Sequence, residues 1–397
     1  MSAILGRLLA LALAATVALV AAPPANATPN FGPAVGTVLF DGDSNAVPGS
    51  YIVVLRTDPG AGGAATAAAS VASRYAATVT MSYAGGLPGF AARMSAAAAR
   101  QVAADPAVAY VEQDRWVRAS GVQRTTAWGL DRLDQRKLPL TKQYRYPAAK
   151  AVVTAYVLDT GIRITHREFA GRARYGYDFV SGRSNANDCE GHGTHVAGTL
   201  GGVTYGVAKS VKLVAVRVLN CSGWGQYSQI IAGVNWVTSH ARKPAVANMS
   251  LGGGASPALD EAVERSIARG VTYVVAAGNE GRNACTGSPA RVGGAITVGA
   301  TDVKDRRASF SNFGPCLDIF APGVGIVSAF RLSNTSLAKG SGTSMAAPHV
   351  AGAAALLLTR WPTLTPARVA ALLVSRSTRS RVAGPGTGSP NRLLFVQ

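Results

Sequence analysis

The sequence predicts a two-part α/β protein: a large domain built on a parallel sheet with helices on both faces, preceded by a small α+β module. Three observations carry this prediction. Beyond Trp128, near-continuous apolar runs alternate with helical stretches, the pattern of strands covered on both faces. Residues 48–118 follow instead the order β-α-β-β-α-β. The length, 397 residues, exceeds what one ordinary core requires.

Residues 1–27 read as a signal peptide. Arg7 supplies the positive end, Leu8 to Ala22 the apolar segment, and Ala25-Asn26-Ala27 a small-residue cleavage site. The segment is short and ends in prolines, which predicts export with cleavage, not a retained anchor. No other run of about 18 apolar residues occurs. Export puts Cys189, Cys221, Cys285 and Cys316 in an oxidising compartment. Four cysteines allow three pairings, and spacing alone does not choose among them. Neighbour pairing would close two loops of similar length. Zinc ligation needs tighter spacing than these four show.

In the small module, Ser50–Arg56 reads as a strand and Ala61–Ala77 as an alanine-rich helix. Thr78–Tyr83 and Gly89–Met94 follow as strands. Ser95 can cap a helix over Ala96–Ala104, which Asp105-Pro106 ends. Ala107–Gln113 closes a ferredoxin-like set of about 70 residues, a core small enough to need a partner. A polar linker covers Ala119–Thr126.

In the large domain, 121–397, the strands are Val152–Leu158, Lys212–Leu219, Val246–Leu251, Val271–Ala277 and Ala295–Val298. Helices are expected through Gly193–Leu200, Tyr227–His240, Pro257–Arg269, Ser344–Arg360 and Thr365–Ser375. In open α/β sheets the site lies beyond the carboxyl ends of the strands.

The formal charge is +19, and residues 1–120 hold seven Lys/Arg against six Asp/Glu, so the large domain carries nearly all of it. The arginines are scattered without interleaved aromatics, which argues for a soluble basic surface over nucleic-acid binding. Nothing points to an oligomer, so a monomer is expected.

Four residues suggest chemistry. Asp159 ends the first strand of the large domain in Leu-Asp-Thr-Gly, where a carboxylate can fix an imidazole tautomer. An aspartic-protease reading would need two such motifs, and only one is present. His192 lies in GHGTHVAG, at a helix start able to present a general base. The nearby His195 could pair with it on a metal, but the Glu of HExxH is missing, so a structural role is expected. Ser344 lies in GSGTSMAAPH at the start of a long apolar helix, with Pro348 expected in its first turn. Alone it would read as an N-cap. Asn279, in AAGNEG, would read as a turn asparagine or as an oxyanion donor.

Taken together, Asp159, His192, Asn279 and Ser344 occur in the order of the subtilisin-type serine proteases (peptidase S8). VLDTG, GHGTHVAG, AAGN and GTSMAAP resemble that family's signatures, closest to its proteinase K-like, aqualysin-type branch. YGVAK (205–209), SLGGG (250–254), ASFSNFG (308–314) and SPNRLL (389–394) extend the resemblance across nearly all of 121–397.

The resemblance implies a secreted endopeptidase acting on proteins or peptides through an acyl-enzyme on Ser344. Asp159 and His192 complete the triad, and Asn279 with the Ser344 N–H forms the oxyanion hole. Gly223-Trp224-Gly225 and Ser250-Leu251-Gly252 resemble the segments that sandwich a substrate strand. Gly252 with Ala276, Ala277 and Gly278 would line an uncharged S1 pocket suited to apolar or aromatic P1 residues. Tyr227 would sit at the S4 rim, and Trp224, where the branch usually has a small residue, would narrow that pocket.

The module at 48–118 resembles the inhibitor propeptide of these enzymes, implying a self-processing zymogen with propeptide 28–120 and a mature start near Gly121. Related enzymes bind structural calcium. The matching positions are Asp318 with the carbonyls of Gly293 and Ala295, and a second set, Asp131, Asp134 and Gln135. The matching cysteines pair as Cys189–Cys221 and Cys285–Cys316. Glu190 stands where the family often has Asn or Asp, with little expected consequence. A silent scaffold on the same fold would be free to lose these residues, and a metal hydrolase would need His192 and His195 as ligands.

Overall fold

The computed structural model describes residues 36–43, 46–56, 63–83, 86–119, 127–146 and 153–396. The expected signal peptide (1–27) and the linker residues 120–126 lie outside them.

The N-terminal module is β1 (Ala46–Leu55), α1 (Ala64–Arg74), β2 (Thr78–Tyr83), β3 (Gly89–Arg93), α2 (Ala96–Ala103) and β4 (Val108–Ala119). Its strands pair antiparallel in the order β4-β1-β3-β2. Ser95 caps α2 as expected, accepting from Ala98 N at 3.1 Å. The period-2 alternation of β1 divides its apolar residues between two cores. Val53 and Leu55 pack with α1 and α2, whereas Ile52 and Val54 join an apolar cluster of the large domain. The partner expected for this small core is therefore the large domain itself.

Strand boundaries shift by a few residues at several places, and the largest difference from the sequence reading is at the end of β4. Ala107–Gln113 was expected as the last strand, but β4 continues to Ala119, into the expected linker. The reason is tertiary: its last residues pair with two segments of the large domain. That backbone pairing leaves no signature in local propensity.

The large domain contributes β5 (Thr154–Asp159), β6 (Ala173–Asp178), α3 (His192–Gly201), β7 (Lys212–Arg217), β8 (Trp224–Gln226), α4 (Tyr227–His240), β9 (Ala245–Met249), β10 (Leu251–Gly254), α5 (Pro257–Ala268), β11 (Val271–Ala276), β12 (Ile296–Thr301), β13 (Ile319–Pro322), α6 (Thr343–Arg360) and α7 (Pro366–Arg376). The main sheet runs β13-β12-β11-β9-β5-β7-β6, parallel throughout, with two short C-terminal strands beyond β13. Strands β6 and β13 were not expected. One is half polar (ARYGYD) and the other is four residues ending in proline.

Alternate residues of each central strand face opposite layers. Ala155 and Val157 pack beneath α3 and α6; Tyr156 and Leu158 pack beneath α4 and α5. The carboxyl ends of β5, β9 and β11 thus open onto one edge, where α3 and α6 begin.

Candidate active site

Asp159 is the last residue of β5 and is fully buried. His192 is the first residue of α3, and its Nδ1 lies 2.8 Å from Asp159 Oδ1. This approach requires the small residue that follows. A Cβ on Gly193 would fall 2.2 Å from the Gly161 carbonyl oxygen and 3.2 Å from Asp159 Oδ1. The first turn of α3 is tied down from several directions. Asp188 accepts from Gly191 N (2.8 Å) and Thr194 N (2.9 Å), and Thr160 Oγ1 accepts from Gly193 N at 2.9 Å. Glu190 Oε2 accepts from the His192 backbone N at 2.7 Å, a contact the sequence reading did not foresee.

Ser344 is the second residue of α6, and its Oγ donates to the Ser250 carbonyl at 3.1 Å. Pro348 lies in the second turn of α6, later than its proximity to Ser344 suggests. It has no N–H for the Ser344 carbonyl four residues back, and Ser250 Oγ donates to that carbonyl instead, at 2.8 Å. The helix interruption thus couples the Ser344 turn to the segment entering β10.

Asn279 lies three residues past β11. Its Oδ1 accepts from Thr343 N (2.7 Å) and Thr343 Oγ1 (3.0 Å), which fixes the amide orientation. The Asn279 Nδ2 donor is left buried without a partner among the described residues. The turn demands Gly278, which holds φ at +101°; a Cβ there would fall 2.3 Å from Asn312 Nδ2. Glu280, not singled out from sequence, accepts from that Nδ2 at 2.7 Å and brings a carboxylate beside Gly278. Gly252 of β10 and the buried Ala276 and Ala277 stand at the same edge.

His195 points elsewhere. Its Nε2 is 3.0 Å from the Ile326 carbonyl oxygen and 3.2 Å from that of Ala338. Burial, reinforced by the neighbouring His192, pushes its pKa down to about 4, so it is a neutral imidazole bracing two short strands, Ile326–Ala329 and Leu337–Gly340, that pair antiparallel. Among the described residues no cluster of three or more His, Cys, Asp or Glu could hold a metal.

The two sandwiching segments are both occupied, by the N-terminal module. β4 pairs antiparallel with β8 (Val117 opposite Gly225, Arg118 opposite Trp224) and with β10 (Arg118 opposite Gly252, Ala119 opposite Leu251). Tyr227 Oη donates to the Gly254 carbonyl at 2.6 Å, and its ring centroid is 4.8 Å from the Arg115 guanidinium.

Two carboxylates of β4 enter the large domain. Asp114 accepts from Ser228 N at 3.0 Å and from Ser228 Oγ, at the start of α4. Glu112 accepts from Ala258 N at 3.0 Å and from Ser256 Oγ, at the start of α5. Burial raises both pKa values against these hydrogen bonds, that of Glu112 from 4.5 to about 7.

The cysteines pair as Cys189–Cys221 and Cys285–Cys316. The first joins the loop before His192 to the loop before β8. Of the residues matched to calcium sites, Asp318 has its pKa raised to about 6 by burial. The Thr297 N–H, which donates to Asp318 at 2.8 Å, works against that rise. Asp131 is engaged by Thr141 N (3.1 Å) and Lys142 N (2.6 Å), and Gln135 Oε1 accepts from Thr141 N at 3.2 Å. Asp134 accepts from Arg145 N at 2.6 Å and keeps Oδ1 buried without a partner among the described residues.

A carboxylate–imidazole pair, a serine at a helix start and an orphaned amide donor at one sheet edge define a serine-hydrolase site. Comparison with known proteins sharpens this class. The subtilase family matches residues 150–392, and the peptidase inhibitor I9 family matches residues 50–120. An extracellular serine proteinase of Thermus sp. (strain Rt41A) is 59% identical over 292 residues, 74% of this chain and 71% of that protein. Alkaline serine exoprotease A of Vibrio alginolyticus is 51% identical over 315 residues, 78% of this chain but 58% of that protein, less than two thirds of its length. A crystal structure of a cold adapted subtilisin-like serine proteinase superposes with TM-score 0.67 at 52% identity, covering 68% of this chain and 98% of that one. The chain belongs to the subtilase family: it is a subtilisin-like serine proteinase preceded by an inhibitor-type propeptide.

Proposed function

We propose that this protein is a secreted serine endopeptidase, made as a self-processing zymogen, that cleaves proteins and peptides through an acyl-enzyme on Ser344. The observation that carries the reading is the pairing of β4. The inhibitor strand lies between β8 and β10, the two segments expected to hold substrate, and is in register with Leu251 at Ala119. Leu251 follows Ser250, to which Ser344 is bonded. The peptide bonds just C-terminal to Ala119 are therefore the candidates for self-cleavage, in keeping with a boundary at 120/121.

In the proposed mechanism His192, oriented through Nδ1 by Asp159, takes the Ser344 proton as Oγ attacks the carbonyl carbon. Asn279 Nδ2 and the Ser344 N–H hold the developing oxyanion; fixing Asn279 Oδ1 on Thr343 preorganises the donor before charge appears. The imidazolium protonates the leaving amine, and water then hydrolyses the acyl-enzyme with His192 again as base. Gly252, Ala276, Ala277 and Gly278 leave room for an apolar or aromatic P1 side chain, and Tyr227 and Trp224 bound the outer pocket. Glu280 adds one acceptor near Gly278.

Calcium is proposed as a structural ion. Asp318, a largely buried carboxylate with one oxygen accepting from Thr297 N, fits a site completed by the carbonyls of Gly293 and Ala295. At the second set, Asp134 Oδ1 is the open acceptor, beside Asp131 and Gln135. Bound calcium would neutralise these carboxylates and hold their loops. Export accords with the N-terminal segment and with a relative named extracellular. No described helix is long and apolar enough to cross a membrane. We expect a monomer that does not bind nucleic acid.

The test compares the unaltered chain with Ser344→Ala. The former should process itself and take up a fluorophosphonate label, and the latter should do neither. An alanine variant that still matured unaided and labelled would overturn the reading.

A further inference from the structure

After Asp318 the chain contains no Asp or Glu and eight Lys/Arg. Three arginines meet around one groove at the end of α6 opposite to Ser344. The guanidinium groups of Arg360 and Arg376 lie 4.8 and 5.1 Å from the Trp361 ring centroid. That of Arg136 lies 3.9 Å from the Phe395 ring centroid. Trp361 and Phe395 wall the groove, and Leu357, Leu373 and Val396 supply apolar lining between the end of α6, α7 and the C-terminal tail.

None of these three arginines forms an ion pair among the described residues. Arg136 donates to the backbone carbonyls of Arg376 (3.2 Å) and Ser377 (3.4 Å). A guanidinium held over a ring and without an ion pair can offer its N–H donors to a planar carboxylate. Three like charges around an apolar recess repel one another, and a bound anion would relieve that repulsion.

From this arrangement we infer that the α6–α7 groove is a binding site for a medium-chain fatty-acid anion. The carboxylate lies between the Arg360 and Arg376 edges, and the acyl chain lies on Leu357, Leu373 and Val396 between the two aromatic walls. Charge and apolar lining act together: a short carboxylate lacks the apolar part, and a neutral or cationic amphiphile lacks the charge that the arginines select.

The test is calorimetric titration of the full chain carrying Ser344→Ala with hexanoate, octanoate and decanoate, and with decanol and decyltrimethylammonium as controls. Affinity should rise with chain length, up to about fourfold per methylene if fully buried, and fall with added salt. The double variant Arg360→Gln/Arg376→Gln should bind decanoate at least about tenfold more weakly. A decyltrimethylammonium or decanol affinity equal to that of decanoate on the unaltered groove would overturn the site, whatever the variant does. So would unchanged decanoate affinity in a double variant that melts at the parent temperature.

Discussion

Four helices begin at or beside the cleft, and they are held in two different ways. α3 and α6, which carry His192 and Ser344, are anchored from within the catalytic domain by Asp188, Thr160, Glu190 and Asn279. α4 and α5, which begin just after β8 and β10, receive carboxylates from the propeptide: Asp114 at Ser228 and Glu112 at Ala258. Each device meets the same need, the unpaired N–H groups and positive end of a helix N-terminus. The reacting groups take no anchor from the propeptide, whereas the starts of α4 and α5 add its carboxylates to caps of their own, Ser256 and the Gln226–Gln229 capping box.

Asn279 carries the largest expected effect. Asn279→Ala removes the anchor of the first α6 N–H together with the orphaned donor, and kcat should fall about 10²–10³-fold with KM little changed. A loss confined to KM would show that Asn279 serves binding alone.

On the other side, Asp114→Ala should weaken inhibition by the released propeptide by on the order of 10²-fold while leaving mature-enzyme kcat intact. The substitution strips two buried Ser228 donors of their acceptor. Glu112 adds a pH dependence. Its pKa rises from 4.5 to about 7 on burial in the complex, so the complex binds its proton more tightly than the free propeptide does. Inhibition is therefore strongest below about 4.5, weakens as pH climbs toward 7 and levels off above it. Glu112→Gln should flatten that profile in inhibitor titrations; an unaltered slope would assign it to other groups.

The smallest effect belongs to Glu190. Glu190→Gln keeps an acceptor for His192 N but removes a negative charge that favours the imidazolium. The acid limb of the kcat/KM profile should move to lower pH, since an opposite charge near the imidazolium favours it. No movement would leave Glu190 a hydrogen-bond acceptor only.

Much of this architecture is legible in the sequence because its causes are local. Parallel strands buried on both faces are continuous apolar runs. Ser95 announces α2, and the tight turns at His192 and Asn279 need glycine where it is written. The pairing of the cysteines in neighbouring couples came from resemblance, since spacing admitted three arrangements.

What only the tertiary structure decides is how distant groups meet. No local pattern ends β4 at Ala119 instead of Gln113, because its last residues are ordered by backbone pairing with β8 and β10. Pro348 is visible in sequence, but that the carbonyl it strands should be claimed by Ser250 is not. Nor does sequence show that Asp114 and Glu112 cap helices more than a hundred residues away. Propensity and periodicity act along a few turns of chain, whereas these contacts are fixed by which faces the packed core brings together.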